Sequence, residues 1–167
     1  MFKQAIGRLE KELQALEREY RHELPKEIKR ALAMGDLREN AEYHAALERQ
    51  SYVKAKIGQL KKRLGEISMI RLDALPKDRV GLGSTVVLYD LNEEREIRYE
   101  LVFAEDTDVP RGHISITSPI GKGLAGRREG EQVTIQVPSG VKRFEILSLQ
   151  TVHQKEDAVP ASHDEEE

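Results

Sequence analysis

Two runs of apolar residues at heptad spacing, one on each side of residues 35–46, constrain the N-terminal half of this chain more than any other feature. The runs are Ile6, Leu9, Leu13, Leu16 and Tyr20, then Val53, Ile57, Leu60, Leu64 and Ile67. Alternating steps of three and four residues are typical of a coiled-coil seam. Antiparallel pairing of the two runs is symmetric about the boundary between Asp36 and Leu37. We therefore predict two long helices that fold back on each other, with Asp36 at the turn.

The two predicted helices cover residues 2 to about 33 and about 37 to 70. At ~1.5 Å per residue, the first carries the turn roughly 45 Å from Ile6. Leu24-Pro25 interrupts its pattern, and we expect a kink or local break there because proline lacks an amide donor. Side chains at such a turn meet little of their own chain, so acidic residues there are either solubilising caps or groups that act on a partner.

The C-terminal half has the alternating pattern of short strands, so the fold class is α+β: a helical hairpin followed by a small antiparallel sheet domain. We predict the hairpin over residues 1–75, a linker rich in turn residues over 76–83 and the sheet domain over 84–153. Strand candidates are residues 84–89, 97–103, 114–117, 133–137 and 144–149. Ser118 and Pro119 predict the cap and first position of one short helix. Residues 154–167 are acidic and aperiodic, and we expect them to be disordered.

Composition excludes several classes of function. The chain has no cysteine, which removes disulfides and thiol catalysis, and its five histidines show no ligand spacing. No apolar run approaches the length of a membrane span and no signal peptide is recognisable, so we expect a cytoplasmic protein with no membrane partner.

Charge is unevenly distributed along the chain. Residues 1–75 hold 16 basic and 12 acidic side chains, whereas residues 154–167 hold one basic and six acidic ones. The base-proximal half of the second helix is the most basic stretch and includes Lys54 and Lys56. These lysines are candidates for contact with RNA or an acidic protein surface, although a solvated helix face explains them equally.

Asp36 and Glu39 admit two interpretations. Asp-x-x-Glu at a helix start is a capping-box pattern, in which Asp36 accepts from the amide of Glu39 and Glu39 reaches back. Alternatively, two carboxylates three residues apart share a hard divalent cation such as Mg²⁺ and orient water bound to it. The spacing alone leaves both open.

The turn, Gly35-Asp36-Leu37-Arg38-Glu39-Asn40-Ala41-Glu42-Tyr43-His44-Ala45-Ala46, resembles the tip signature of the bacterial transcript cleavage factors GreA and GreB. Residues 78–86 and 114–126 are similar to that family's linker and C-terminal domain, and Leu9 to Leu13 with Leu24-Pro25 fit its first helix. The chain departs at its start and in its acidic tail. The resemblance covers about residues 5–150 and implies an FKBP-like fold for the C-terminal domain.

The resemblance also implies a function: an accessory factor, not an enzyme, whose hairpin enters the secondary channel of backtracked bacterial RNA polymerase. Asp36 and Glu39 match the two tip acids, which would help to hold a Mg²⁺ ion shared with the polymerase and promote cleavage at the nascent RNA 3′ end. Asn40 and Tyr43 match the signature as supporting residues. Arg30 and Arg38 lie near the tip and would contact RNA or polymerase, with solvated surface as the alternative.

Two other functions are open at this point. A channel-binding regulator that does not stimulate cleavage would need no carboxylate pair, so Asp36 and Glu39 argue against it. A prolyl isomerase is suggested only by the FKBP-like fold and needs an aromatic-lined pocket, which few aromatics after Gly83 can supply. We expect a monomer with no tightly bound cofactor, and the modest positive charge of the hairpin favours a protein closer to GreA.

Overall fold

A computed structural model describes residues 2–35 and 38–157 of the chain. The chain forms two compact units that divide between Arg71 and Leu72, and each is described by itself below. The division lies four residues before the predicted end of the hairpin at residue 75. Within the described ranges, no helix has the length and apolar character needed to cross a membrane.

The first unit is a helical hairpin, as the heptads predict. Helix α1 (Lys3–Arg18) and helix α2 (Leu24–Leu32) form one arm, and helix α3 (Ala41–Ser68) is the other arm and packs against both. The buried residues of α3 recur at strict heptad spacing, at Ala46, Val53, Leu60 and Ile67. The opposite arm buries Ala5, Leu9, Leu24 and Ala31.

The predicted interruption near Leu24-Pro25 is a π-helical turn over Glu19–Glu23. The amide of Leu24 donates to the carbonyl of Glu19, five residues back, instead of four. Pro25 then occupies the first turn of α2, where its missing donor costs little. The extra residue of the π turn absorbs the proline, so the arm continues instead of breaking.

The second unit is built on a five-stranded sheet in the order β3-β2-β1-β5-β4. The strands are β1 (Thr85–Asp90), β2 (Arg95–Val102), β3 (His113–Ser115), β4 (Gln132–Val137) and β5 (Gly140–Gln150). The prediction of a wholly antiparallel sheet is wrong at β3, which pairs with β2 in parallel. Residues 103–112 contain two 3₁₀ turns that carry the chain back, so that β3 runs in the same direction as β2.

The predicted short helix, α4 (Pro119–Leu124), packs on β3 and β4. Ser118 caps it as predicted, because its Oγ accepts from the amide of Gly121 at 3.0 Å. A Cβ on Gly121 would lie 2.2 Å from the carbonyl oxygen of Ser115, so only glycine allows this approach. The core below α4 contains Val86, Leu88, Leu101, Ile114, Leu124, Val133, Ile135, Phe144 and Ile146.

Residues 76–83, predicted as a linker rich in turn residues, pack in part against the second unit. Val80 is only 1% exposed and belongs to the core of the second unit. Its amide donates to the carbonyl of Arg127, and its carbonyl accepts from the amide of Gly126, both at 2.8 Å. The apolar Val80 and Leu82, and not the turn residues around them, decide where this segment lies.

The expected disorder from Gln154 onward is wrong at its start, because helix α5 covers Val152–Asp157. Val152 is buried, and Gln154 accepts from the amide of Thr151 at 2.8 Å. His153 hydrogen-bonds the carbonyl of Leu75, and Lys155 pairs with Glu100 at 3.3 Å. These contacts stabilise a helix that local sequence does not favour. The rest of the predicted tail, residues 158–167, lies outside the described residues.

Candidate functional site at the hairpin turn

Helix α3 begins at Ala41, four residues later than predicted, and Asn40 is its N-cap. The side-chain oxygen of Asn40 accepts from the amide of Tyr43 at 3.1 Å. This bond satisfies one of the amides that have no partner within the helix at its first turn. The start of α3 is therefore fixed by Asn40.

Asn40 also links the two arms across the turn. Its Nδ2 donates to the carbonyl of Ala31 at 2.5 Å, on the last turn of α2. The same carbonyl accepts from the amide of Met34 at 3.1 Å. One side chain thus caps α3 and holds the end of α2, which sets the spacing of the two arms where the chain reverses. The resemblance implies a supporting role for Asn40, and these two bonds are the contacts through which it would act.

Glu39 lies in the turn and is exposed. A capping box would place it at the third position of α3, but it precedes the N-cap instead. The capping interpretation is therefore wrong for Glu39, whose carboxylate faces solvent at the turn. Asp36, the other predicted metal ligand, lies outside the described residues.

Tyr43 and His44 follow the cap on the first turn of α3. Their ring centroids lie 5.8 Å apart at 59°, and Tyr43 is half-buried. Nε2 of His44 lies 3.4 Å from the carbonyl oxygen of Arg38. These two aromatic rings therefore contribute packing and a hydrogen bond that hold the turn against α3.

The four predicted cationic contacts are not gathered at one place. Arg30 lies on the last turn of α2 and lines a cavity of about 350 Å³ with Glu27, Glu42 and Arg49. Arg38 lies in the turn itself and is exposed. Lys54 and Lys56 are more than three turns into α3, about 20 Å from its start at ~1.5 Å per residue. The structure thus separates a pair of arginines near the turn from a pair of lysines along the arm.

An ion pair between the arms escaped the sequence prediction. Nε of Arg49 on α3 lies 2.7 Å from Oε1 of Glu19, and Nη2 lies 2.9 Å from Oε2. Hydrogen bonding from Arg49 holds the pKa of Glu19 below its ordinary value, and Glu19 in turn raises the pKa of Arg49. The guanidinium also lies 5.2 Å from the ring centroid of Tyr52. The symmetric pairing of the heptads places neither residue opposite the other, so the sequence alone provides no signal for this pair.

The described residues include no group of three or more His, Cys, Asp or Glu side chains placed to hold a metal ion. Carboxylate oxygens are nevertheless the ligands that Mg²⁺ prefers. The carboxylate of Glu39 does not cap α3, so helix capping does not compete for it. The described part of the turn thus offers one carboxylate that suits a hard divalent cation, which is too few ligands to complete the coordination of Mg²⁺.

The second unit holds a cavity of about 370 Å³ between α4 and the sheet, lined mainly by apolar side chains. Its lining includes Tyr99, Ile114, Pro119, Ile120, Val137 and Pro138. Tyr99 is the one aromatic residue among the described lining residues, and burial raises its pKa. The lining therefore lacks the aromatic character on which the prolyl isomerase alternative depends.

The fold and the turn define a class of protein: a helical hairpin with a solvent-facing acidic turn, joined to a small α+β domain. The family model "Transcription elongation factor, N-terminal" matches residues 1–68. The model "Transcription elongation factor, GreA/GreB, C-term" matches residues 75–151. The chain belongs to the GreA/GreB family of transcription elongation factors.

Curated relatives agree with this assignment. The chain is 42% identical to transcription elongation factor GreA of Nitratiruptor sp. over 85% of its own length and 86% of that protein. It is 40% identical to the GreA of Trichlorobacter lovleyi, over 88% and 93% of the two chains. It is 39% identical to the GreA of Anaeromyxobacter sp., over 93% of each chain.

Solved structures with similarity to the chain carry related names. The crystal structure of GreA factor homolog 1 of Thermus thermophilus is 23% identical, with a TM-score of 0.39 over 87% of this chain and 94% of that one. A GreA/GreB factor from Nitrosomonas europaea is 26% identical, with a TM-score of 0.40 over 56% of this chain and 78% of that one.

Proposed function

We propose that this protein inserts its hairpin turn into the secondary channel of bacterial RNA polymerase and stimulates cleavage of the backtracked RNA 3′ end. It acts as an accessory factor and works in the cytoplasm, where that polymerase is found. The reaction leaves a new 3′ end from which the polymerase resumes synthesis.

The observation that carries this proposal is the position of Glu39. An exposed carboxylate at the end of a helical hairpin, not consumed by helix capping, is free to act on another molecule. Such a hairpin is about 10 Å thick per helix and tens of ångströms long, dimensions suited to a channel. Family membership independently supports a role in transcription elongation.

In this proposal each residue in or near the turn has a chemical role. Glu39 and Asp36 supply carboxylate oxygens to a Mg²⁺ ion whose other ligands belong to the polymerase. When bound, the ion lowers the pKa of its water and stabilises developing charge on the phosphate. Asn40 positions the turn through its bonds to both arms. Tyr43 packs behind it, and Arg30 and Arg38 offer positive charge toward the RNA phosphates.

We assign the second unit a docking role at the rim of the channel, through protein contacts. A rod that delivers carboxylates to a buried active site gains from an anchor outside, because anchoring raises the effective concentration of the tip. The partners in this proposal are therefore the polymerase and the nascent RNA, with no membrane component and a monomeric factor.

A stalled, backtracked elongation complex with 3′-labelled RNA tests the proposal. Adding the protein with Mg²⁺ should release short labelled fragments much faster than polymerase alone. A protein that binds the polymerase and inhibits elongation without releasing fragments would instead be the channel-binding regulator considered above. A protein that neither binds nor promotes cleavage would contradict both functions.

A further inference from the structure

Strand β4 (Gln132–Val137) lies at one edge of the sheet, and among the described strands it pairs only with β5. The carbonyl of Glu131, just before β4, accepts from the amide of Ile146 on β5 at 2.9 Å. In an antiparallel ladder the residues that bond a given neighbour alternate along the strand, so the odd-numbered residues of β4 bond β5. The backbone N–H and C=O groups that point away from the sheet therefore belong to Gln132, Thr134 and Gln136.

The edge of β4 lacks the features that usually prevent strands from pairing. Natural sheet edges are protected by charged side chains, proline, bulges or very short strands. Residues 132–137 contain no charge and no proline, and their register with β5 has no shift. The opposite edge is protected, because β3 has only three residues and His113 exchanges two backbone hydrogen bonds with Asp108, both at 2.9 Å. Within the described part of the second unit, the edge of β4 is thus available to another strand.

The edge of β4 is complementary to itself in one register. When two copies pair antiparallel about Thr134, Thr134 faces its counterpart and Gln132 faces Gln136. These are the residues whose N–H and C=O groups point outward, so each outward donor meets an acceptor of the second copy. On the buried face, Val133 would lie opposite Ile135. Opposed threonines stabilise a strand pair, and no charge lies among the opposed residues.

The residues that flank β4 also allow this register. Glu131 would lie opposite Val137 and Glu129 opposite Ser139, so no acid of one copy directly faces an acid of the other. A strand from a different protein would not require the edge to be symmetric about its own centre. A second copy does require it, because a two-fold axis brings the same surface of both molecules together. The symmetry of the edge therefore favours a second copy as the partner.

We infer that two copies of this protein pair through β4, antiparallel and in register about Thr134. The inference does not rest on the proposed function. The dimer is a second state of the protein, beside the monomer that the proposed function uses. One short strand from each copy should bury less than the ~1,200–2,000 Å² of a stable complex, so the dimer is weak and forms as the protein concentration rises.

Oxidation of single-cysteine variants of the full-length protein tests the register. The chain has no cysteine of its own, and opposed hydrogen-bonded residues have Cα atoms about 5.5 Å apart, within the range of a disulfide. Thr134→Cys should therefore give a disulfide-linked dimer under mild oxidation. Gln132→Cys should give little dimer alone but should link to Gln136→Cys when the two variants are mixed. Equal dimer yields from Thr134→Cys and Gln132→Cys alone, or no linked dimer at all, would overturn the inference.

Sedimentation equilibrium tests the association without any added cysteine. The dimer fraction of wild type should rise with concentration, and Thr134→Lys should raise the Kd of the dimer roughly tenfold or more, because two like charges would then face each other. Ser148→Lys is the matched control, since Ser148 is exposed on β5 and the substitution adds the same charge. This control should associate as wild type does, and circular dichroism checks that both variants are folded. A wild type that stays monomeric, or equal weakening by the two substitutions, would overturn the inference.

Discussion

At the scale of single residues, the turn shows why a capping residue is hard to choose from sequence. Asp36 and Asn40 both precede good helix formers, and both residue types cap helices well. Asn40 has a second bond, from its amide to the carbonyl of Ala31. That bond depends on the opposite arm, so no local pattern could reveal it. The acidic turn itself was predictable, because the heptads on both sides locate it.

Substitution of Asn40 separates its two bonds. Asn40→Ala removes the cap and the cross-turn bond, so we expect a loss of about 1–2 kcal/mol of stability. Asn40→Asp keeps an oxygen for the amide of Tyr43 but loses the donor to Ala31, and should cost less. Urea unfolding followed by circular dichroism measures both. An alanine variant as stable as wild type would contradict the bracing role of Asn40.

At the scale of elements, the helices were predictable and their irregularities were not. The heptads predicted the hairpin, and the buried positions Val53, Leu60 and Ile67 confirm its seam. The π turn at Glu19–Glu23 and the parallel strand β3 have no periodic signal. The π turn forms because the arm must accommodate Pro25. The parallel direction of β3 depends on the 3₁₀ turns before Gly112.

Substitution of glycine by alanine should change the stability in opposite directions at two helical sites. Gly121→Ala would push a methyl group against the backbone of Ser115 and should destabilise the second unit by about 1–3 kcal/mol. Gly58→Ala in α3 meets nothing within 4 Å, so higher helix propensity should stabilise the hairpin by about 0.5–1 kcal/mol. Thermal unfolding of the two variants beside wild type measures both changes.

The pair of Glu19 and Arg49 makes hairpin stability depend on pH. Arg49 lowers the pKa of Glu19 in the folded state, so the pair stabilises the fold above the ordinary glutamate pKa. This contribution should disappear as the pH falls from about 4.3 through the lower folded value. Glu19→Gln should therefore melt below wild type at pH 7, by a few degrees at most, and together with it near pH 2.

Glu12→Gln is the control for that comparison, because Glu12 is an exposed acid on the same arm. It should show no comparable difference between the two pH values. A gap between Glu19→Gln and wild type that stays the same at low pH would show that the effect is not electrostatic.

At the scale of the whole molecule, the chain divides into two units. The boundary between them is not at the position that composition predicts. Turn residues at 76–83 predicted a linker, yet Val80 is part of the second core. Likewise α5 is held by His153 and Lys155 against distant residues. Sequence patterns report local preference, whereas these two segments are placed by long-range burial and pairing. The order of the two domains followed from local motifs, and the function proposed for the turn depends on a local motif as well.

The uneven charge of the chain predicts a salt-dependent interaction along the hairpin. Replacing Lys54 and Lys56 together with alanine should weaken cleavage of long backtracked RNA at low salt. The effect should shrink at higher salt, because exposed charges are screened over ~8–10 Å near physiological ionic strength. Melting temperature should stay nearly constant, since both side chains lie on the surface. Unchanged cleavage at every salt concentration would contradict this prediction. It would show that these lysines only form a solvated helix face.

The central claim is that the carboxylates of the turn act in RNA cleavage. Glu39→Gln and Asp36→Asn each keep the size of the side chain but replace a carboxylate oxygen with a poorer Mg²⁺ ligand. Because Glu39 does not cap α3, the first variant should keep its helix content and stability.

The most direct measurement is the rate of RNA cleavage in backtracked complexes with wild type and these two variants. We expect the rate to fall by orders of magnitude in each variant, with partial recovery in raised Mg²⁺ or in Mn²⁺. Each variant should still compete with wild type for the polymerase. Full cleavage activity in the Glu39→Gln and Asp36→Asn proteins would contradict the account.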